Sequence, residues 1–213
     1  MASAAVITPP KPAKVLCLHG FGQSASVLKQ RMASFRGKLA KTKFEFVYLN
    51  APHELPARDD VKDKQDVDGA FAWYYYSNEN KGDVQWDEVF NKHSIQDLKG
   101  LDSSVLLIND ALENEHKDAA YIIGFSQGGA MLSVMTELGF IPEHIKLIFV
   151  SAFFPGLDKE LSDQFPHASQ HVYGETDTII PPAQSKALST HFPSAITVCH
   201  PDGHIFPRFK PIV

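Results

Sequence analysis

The sequence predicts an α/β fold in which a mostly parallel central sheet carries helices on both faces. Short apolar, β-prone runs alternate along the chain with longer helix-forming stretches, a pattern typical of βαβ units. A length of 213 residues with 44% hydrophobic residues is sufficient for one domain with a sizeable core. We therefore predict a single domain over residues 15–213, preceded by a flexible arm over residues 1–14 that contains three prolines.

The individual elements follow from this alternation in chain order. Strands are predicted at residues 15–19, 44–49, 119–124, 145–151, 170–173 and 196–200. Helices are predicted at residues 24–41, 97–116, 127–138 and 182–192, the last two with apolar residues at three- and four-residue spacing. The sequence has no internal repeat and no long linker, which again favours one layered domain.

Residues 124–128 read Gly-Phe-Ser-Gln-Gly, directly between a predicted strand and a predicted helix. In this context the G-x-S-x-G pattern is typical of a nucleophile elbow, a sharp turn that exposes a serine hydroxyl above the sheet. The glycines two residues on either side of Ser126 let the strand and the helix pack closely. The sequence therefore predicts an α/β-hydrolase fold with Ser126 as the nucleophile.

A serine nucleophile needs a base and an orienting carboxylate, and in α/β-hydrolases these follow the serine as Asp or Glu and then His. Asp177 comes just after the predicted strand at 170–173, and His204 follows the last predicted strand. His200 is the main rival for the base, but a strand residue is less free to reach the elbow. For the carboxylate, Asp202 and Glu175 compete with Asp177, although the first is close to His204 in sequence and is expected to shape a turn.

The oxyanion hole is expected to combine two backbone amides. One is the amide of Gln127, directly after the nucleophile, and the other lies in the loop after an early strand. The loop at residues 19–24 follows such a strand, and Phe21 is the predicted donor because Gly20 before it permits the turn. An ordinary βα turn would explain these glycines equally well, so the prediction depends on the elbow.

Taken together, these motifs resemble the eukaryotic family of serine hydrolases, which are small α/β-hydrolases, over residues 15–207. The resemblance rests on His-Gly-Phe-Gly-Gln at 19–23, Asn-Ala-Pro-His-Glu at 50–54, Gly-Phe-Ser-Gln-Gly at 124–128, Phe-Val-Ser-Ala-Phe-Phe-Pro at 149–155, Gly-Glu-Thr-Asp-Thr-Ile-Ile-Pro at 174–181 and Gly-His-Ile-Phe-Pro at 203–207. It implies an esterase or thioesterase with a Ser126, Asp177 and His204 triad. The elbow is also similar to that of acyl-protein thioesterases and carboxylesterases, which share the triad.

The C-terminus departs from this family pattern. Members usually carry a final helix after the catalytic histidine, whereas only nine residues follow His204 here. Pro207 and Pro211 leave little room for a helix in that segment. We therefore expect a shortened C-terminus that leaves part of one sheet face bare, which also leaves a homodimer open.

Three aromatic residues are candidates for the substrate site. Trp73 lies in an aromatic run, and Phe153 and Phe154 leave a predicted strand end on the side of Ser126. Apolar side chains at strand ends would line a pocket for a small to medium acyl chain of an ester or thioester substrate. The alternative is that these aromatics belong to the core or to an edge strand.

Composition excludes several other classes of function. A net charge of −5 and a pI near 6.0 give no basic footprint for nucleic acid, and no apolar run is long enough to span a membrane.

Cys17 and Cys199 lie in predicted core strands, and two buried thiols favour a reducing, cytoplasmic setting. No metal or nucleotide motif is present, so no cofactor is expected. A catalytically idle binding module would be expected to lack a triad residue; acyl transfer and perhydrolysis stay open.

Overall fold

A single parallel sheet of six strands forms the centre of the structure. The coordinates are a computed structural model that describes residues 11–37, 39, 43–56, 69–76, 93–162 and 164–212. The sheet contains β1 (Ala13–Leu18), β2 (Phe44–Leu49), β5 (Ala119–Phe125), β6 (Lys146–Val150), β7 (Ser169–Gly174) and β8 (Ile196–His200). Their order is β2-β1-β5-β6-β7-β8, and every neighbouring pair is parallel. All six carboxyl ends therefore meet at one edge, as the predicted placement of the catalytic residues requires.

Helices cover both faces of this sheet, as predicted. On one face α1 (Ala25–Arg31) and α2 (Ala33–Arg36) contribute Leu28 and Phe35 to a core with the aromatic residues of β2. On the other face α3 (Leu101–Asp110), α4 (Gln127–Glu137) and α5 (Pro182–Ser189) pack against the sheet. The central helix α4 is buried at ten consecutive positions, because it begins at the elbow and runs beneath neighbouring segments.

Element boundaries differ from the predictions where local chemistry interrupts a pattern. The predicted helix at 24–41 is two short helices, and its start is capped by the Ser24 hydroxyl, which accepts from the Val27 N–H. Residues 38 and 40–42 lie outside the described residues. The predicted helix at 97–116 is divided into a 3-10 turn at Ile95–Asp97, α3 and a π turn at Ala111–Glu115. Gly100, with φ of 77°, separates the first two, because this left-handed conformation cannot continue a helix.

A second, two-stranded sheet lies beside the main one and was not predicted. It pairs β3 (His53–Glu54) with β4 (Phe71–Ala72) in antiparallel orientation. Strands of two residues give no usable sequence pattern, and the intervening residues 57–68 lie outside the described residues. The chain after β4 passes close to the carboxyl edge of the main sheet, where it contacts the predicted site.

Both ends of the predicted domain need a correction. The main sheet begins at Ala13, so residues 13 and 14 belong to β1 rather than to the expected arm, whose residues 1–10 lie outside the described ones. After His204 the chain forms no helix or strand up to residue 212, and its apolar residues join the core on one face of the sheet. Phe206 and Phe209 pack on Phe35, with ring centroids 5.4 and 4.5 Å away. The expectation of a bare face is therefore wrong where this C-terminal segment covers it.

The two cysteines lie in different environments. Cys17 is buried in β1, as predicted, and burial raises the pKa of its thiol. Cys199 is exposed, so the prediction of a buried thiol there is wrong. The reason is that β8 is an edge strand, and the alternation of apolar residues does not distinguish an edge strand from a central one.

Candidate active site

Ser126 occupies the strained turn that the elbow pattern predicts. It directly follows β5 and caps α4 with φ of 52° and ψ of −120°, a conformation that non-glycine residues rarely adopt. Its N–H donates to Val150 O at 2.9 Å, which fixes the turn to the end of β6. The hydroxyl is thereby held above the carboxyl edge of the sheet with 4% of the residue exposed.

The elbow is tight because glycine allows a close backbone approach. A Cβ placed on Gly128 would lie 2.3 Å from Leu18 O and 2.6 Å from His19 O, distances that real side chains do not reach. The first turn of α4 therefore packs directly against the backbone that leaves β1. This contact places the nucleophile and the predicted oxyanion loop side by side.

Ser126, His204 and Asp177 form a continuous hydrogen-bonded chain. His204 Nε2 lies 3.0 Å from Ser126 Oγ, and His204 Nδ1 lies 2.8 Å from Asp177 Oδ2. Because the carboxylate accepts, Nδ1 carries the proton, and Nε2 is left to accept the serine hydroxyl. The three residues follow β5, β8 and β7 respectively, so the parallel sheet assembles them from distant parts of the chain.

The rivals for the base and the carboxylate lie elsewhere. The side chain of Asp202 is 60% exposed, and its nearest ionisable neighbour is His200, at 3.7 Å. His200 is the last residue of β8, and neither of its ring nitrogens makes a hydrogen bond within the described residues. Glu175 is exposed. The loop that carries His204 packs against the end of β7, where a Cβ on Gly174 would lie 2.2 Å from Asp202 O. Asp202 therefore contributes its backbone to the turn, as its predicted turn-forming role implies.

The carboxylate of Asp177 is buried and fully engaged. Its Oδ1 accepts from the N–H groups of Ile179 and Ile180 at 3.0 and 2.9 Å, while Oδ2 faces the imidazole of His204. Burial alone would raise the pKa of Asp177, but the hydrogen bonds from His204 and Ile180, with a contribution from the Ser151 hydroxyl, bring it below its ordinary value. The carboxylate therefore stays ionised and can balance a positive charge on the imidazole.

Ser151 is a site neighbour that the sequence did not single out. It follows β6 with φ of 46°, and with Ser126 it makes up the non-glycine positions of positive φ in the described part of the chain. Its side chain is buried, and its hydroxyl lies close enough to Asp177 to help lower the pKa of that carboxyl, although it makes no well-aligned hydrogen bond within the described residues. A strained backbone beside the carboxylate is a typical feature of functional sites, but no sequence pattern marks it.

The two predicted oxyanion segments adjoin the nucleophile. Gln127 is the first residue of α4, where an N–H has no partner within the helix. Phe21 lies in the turn after β1, and a Cβ on the preceding Gly20 would be 3.3 Å from Ser126 Cβ. The backbone turn at 20–21 and the start of α4 thus flank Ser126 on two sides, as a pair of amide donors would have to.

The predicted substrate-binding aromatics are all buried. Trp73 and Phe153 are 0% exposed and Phe154 is 7% exposed, and all three belong to the core cluster beneath the site. Phe153 and Phe154 leave the end of β6 beside the elbow, as predicted. Their role in binding an acyl chain stays a prediction, since their burial fits core packing equally well.

A buried polar network that the sequence did not predict lies directly beneath the oxyanion segments. Trp73 Nε1 donates to His19 O at 2.8 Å, and Trp73 N donates to Gln127 Oε1 at 2.9 Å. His19 Nδ1 donates to Gly20 O, while its Nε2 accepts from Ala51 N–H at 3.0 Å, so the ring is neutral. Burial lowers the pKa of His19 to about 4, which keeps it uncharged.

Comparisons with known proteins identify a family of serine hydrolases. A family model described as serine hydrolase (FSH1) matches residues 7–213. A human protein named esterase OVCA2 is 31% identical over 217 residues, which cover 94% of this chain and 92% of that protein. A mosquito protein from Anopheles gambiae, also named an esterase, is 30% identical over 91% of this chain and 71% of its own length.

Solved structures share the fold at low sequence identity. The crystal structure of acyl-protein thioesterase 2 from Zea mays aligns with a TM-score of 0.61 at 16% identity, covering 92% of this chain and 88% of that one. The crystal structure of esterase PE8 aligns with the same TM-score at 18% identity, covering 91% and 85% of the two chains. The chain therefore has the predicted α/β-hydrolase fold. Within the residues that the structure describes, no helix combines the length and apolarity needed to cross a membrane.

Proposed function

The chain belongs to the FSH1 serine hydrolase family, whose model matches residues 7–213, and from this premise we propose that it cleaves carboxylic esters or thioesters through an acyl-enzyme on Ser126. The observation that carries this proposal is the relay from Ser126 Oγ to His204 Nε2 at 3.0 Å and from His204 Nδ1 to Asp177 at 2.8 Å. It occurs on a serine whose backbone is held at φ of 52° beside two candidate amide donors.

The mechanism follows from the proton positions. His204 Nε2 takes the hydroxyl proton as Ser126 Oγ attacks the acyl carbon, and the ionised Asp177 stabilises the resulting imidazolium. The amides of Phe21 and Gln127 hold the negative charge that develops on the carbonyl oxygen. His204 then protonates the leaving alcohol or thiol, and a water activated by the same imidazole releases the acid and frees the serine.

The substrate is proposed to carry a small to medium acyl chain. Phe153, Phe154 and Trp73 support this size class because they place apolar rings beside and beneath the elbow, where each buried methylene would contribute about 0.8 kcal/mol to binding. An activity like that of the thioesterase from Zea mays, with a protein-bound acyl group, is the alternative within the same chemistry. A panel of oxygen esters and thioesters of matched acyl length distinguishes these substrates.

Labelling with a fluorophosphonate probe tests the nucleophile. We expect one rapidly labelled serine, Ser126, and expect Ser126→Ala to lose both labelling and hydrolysis of p-nitrophenyl acetate while it keeps its circular dichroism spectrum. Ser133→Ala is the matched control, because Ser133 is a buried serine of the same helix whose hydroxyl bonds only to backbone carbonyls. Rapid labelling at another serine, or unchanged turnover in Ser126→Ala, would refute the assignment.

A cytoplasmic location and a homodimer are further parts of the proposal. The free thiols of Cys17 and Cys199 support a reducing compartment. Ile196, on the edge strand β8, is 51% exposed and offers apolar surface for a second copy. Fractionation of cells and light scattering of the purified protein test these two proposals separately.

A further inference from the structure

Residues 71–74, called here the bridging segment, connect the two halves of the oxyanion hole. We infer that Gln127 is a positioning residue. Its side-chain amide holds the bridging segment and thereby fixes the distance between the two backbone amides of the oxyanion hole. This inference rests on the proposed function, since it concerns the same oxyanion hole. It assigns the Gln127 side chain a role distinct from that of its backbone amide.

The bridging segment is attached first to the loop after β1. Gly22 N donates to Phe71 O at 2.9 Å, and Phe71 N donates to Gln23 O at 2.9 Å. These two bonds form an antiparallel bridge with the loop that contains Phe21. A displacement of the bridging segment is therefore transmitted to the predicted oxyanion donor through backbone bonds.

The same segment is attached to the elbow through a single side chain. Gln127 Oε1 accepts from Trp73 N, and Gln127 Nε2 donates to Tyr74 O, both at 2.9 Å. The amide thus satisfies a backbone donor and a backbone acceptor at consecutive residues. Since Gln127 is 1% exposed, water cannot readily replace either bond.

Further hydrogen bonds hold Trp73 of the bridging segment in place. The Trp73 indole donates to His19 O, and Ser104 Oγ donates to Trp73 O at 2.6 Å. His19 O also lies against the first turn of α4, where a Cβ on Gly128 would be 2.6 Å from it. The loop, the elbow and the bridging segment therefore meet around one buried point, and the Gln127 amide directly connects two of them.

Loss of this amide should act on the transition state. An apolar replacement would leave Trp73 N–H and Tyr74 C=O unpaired in a buried site, so the bridging segment would shift to find partners. A shift on the order of 1 Å in the oxyanion loop can cost about 100-fold in rate, because the donors must meet the oxyanion rather than the ground-state carbonyl. Substrate binding in the ground state should change little.

The first experiment compares two identical substitutions. Gln127→Met keeps the length of the side chain and removes both hydrogen bonds. Gln170→Met is the matched control, because Gln170 is also buried and its amide also clamps two backbone groups, donating to Lys210 O and accepting from Ile212 N–H at 3.0 and 3.1 Å. For p-nitrophenyl acetate we expect kcat of Gln127→Met to fall by about 10- to 100-fold with KM within about threefold of wild type, and kcat of Gln170→Met to stay near wild type.

A second variant supplies a signature that destabilisation alone would not produce. In Gln127→Glu an ionised carboxylate cannot donate to Tyr74 O, whereas a protonated one can. We therefore expect the ratio of its kcat to that of wild type to rise as the pH falls from about 8 to about 6, since burial raises a carboxyl pKa toward this range. The neighbouring His19 and Tyr74 do not titrate there, because burial lowers the pKa of His19 to about 4 and raises that of Tyr74 well above its ordinary value. An ionisation that the two enzymes share cancels in the ratio.

The outcomes separate this inference from the proposed function. If wild type hydrolyses the ester and Ser126→Ala does not, the proposed function stands, and the glutamine variants decide the inference alone. A kcat for Gln127→Met within about threefold of wild type, an equal loss in Gln170→Met, or a Gln127→Glu ratio that stays flat or falls at lower pH would each overturn it. If Gln127→Met does not fold, the Gln127→Glu ratio decides.

Discussion

Acid should destabilise this protein before its carboxylates begin to titrate, because two of its buried histidines, His19 and His171, are neutral. His171 projects from β7 into the core, where its ring stacks on Phe149 at 4.7 Å and lies 5.2 Å from Phe192. Its Nε2 contacts Ser169 Oγ at 3.1 Å, and its Nδ1 has no hydrogen-bond partner in the part of the chain that the structure describes. An imidazolium in this aromatic environment would lose its hydration without gaining a counter-charge.

The size of the effect follows from the pKa values of the two rings. Burial lowers the pKa of His171 to about 3 and that of His19 to about 4, from an ordinary value of 6.5 that the unfolded chain regains. Because both folded values are depressed, this stability is fully present above pH 6.5 and is lost as the pH falls toward the folded values. Between about pH 7 and pH 5 each histidine should lower the free energy of unfolding by about 2 kcal/mol, so the two together remove about 4 kcal/mol.

Urea denaturation at about pH 7 and pH 5, followed by tryptophan fluorescence, measures this difference directly. His171→Leu removes one titrating ring at similar volume, so the difference should shrink from about 4 to about 2 kcal/mol even though the variant starts from a lower stability. His144→Leu is the control, since His144 is exposed and loses no hydration on folding. A wild-type stability that is equal at the two pH values, or an unchanged difference in His171→Leu, would refute the reasoning.

Two further predictions concern the reaction. Asp177→Asn should lower kcat on the order of 10⁴-fold, because an asparagine leaves the imidazole in the wrong tautomer. Asp202→Asn, at an exposed side chain, should leave kcat nearly unchanged. Steady-state kinetics on one ester measures both variants, and the reverse ranking would transfer the orienting role to Asp202. We also expect kcat/KM to rise with acyl length over short to medium chains and Phe153→Ala to reduce it more for longer acyl groups than for acetyl, as measured on a homologous ester series. A flat length dependence would place Phe153 in the core alone.

The fold and the proposed triad were accessible from sequence because both depend on local patterns. Ser126, Asp177 and His204 each follow a β-prone run, and parallel strands bring their carboxyl ends to one edge regardless of how far apart they are in the chain. The elbow pattern predicts that the carboxylate and then the histidine of the triad follow the serine along the chain. Strand positions were predicted to within two residues for the same reason, since each strand is a short apolar run between turn-forming residues.

Features that depend on non-local contacts were not accessible. The Gln127 side chain bonds to residues more than fifty positions earlier, in a stretch that has no recognisable period. The positive φ at Ser151 occurs where the chain leaves β6, and the Ser151 N–H donates to Val172 O of the neighbouring strand β7. Exposure of Cys199 reflects the order of strands in the sheet, which apolar alternation does not encode. In each case the sequence identifies the element but not its neighbours.

The C-terminal segment makes the placement of His204 sensitive to distant parts of the molecule. A helix in this position would maintain its own shape through backbone hydrogen bonds, whereas residues 206–209 of this segment are held by ring packing on Phe35. Phe35 lies on α2, and Phe206 connects it to Phe125, the ring beneath His204. Substitutions in α1 and α2 can therefore change the position of the His204 imidazole without altering any residue that a substrate would contact.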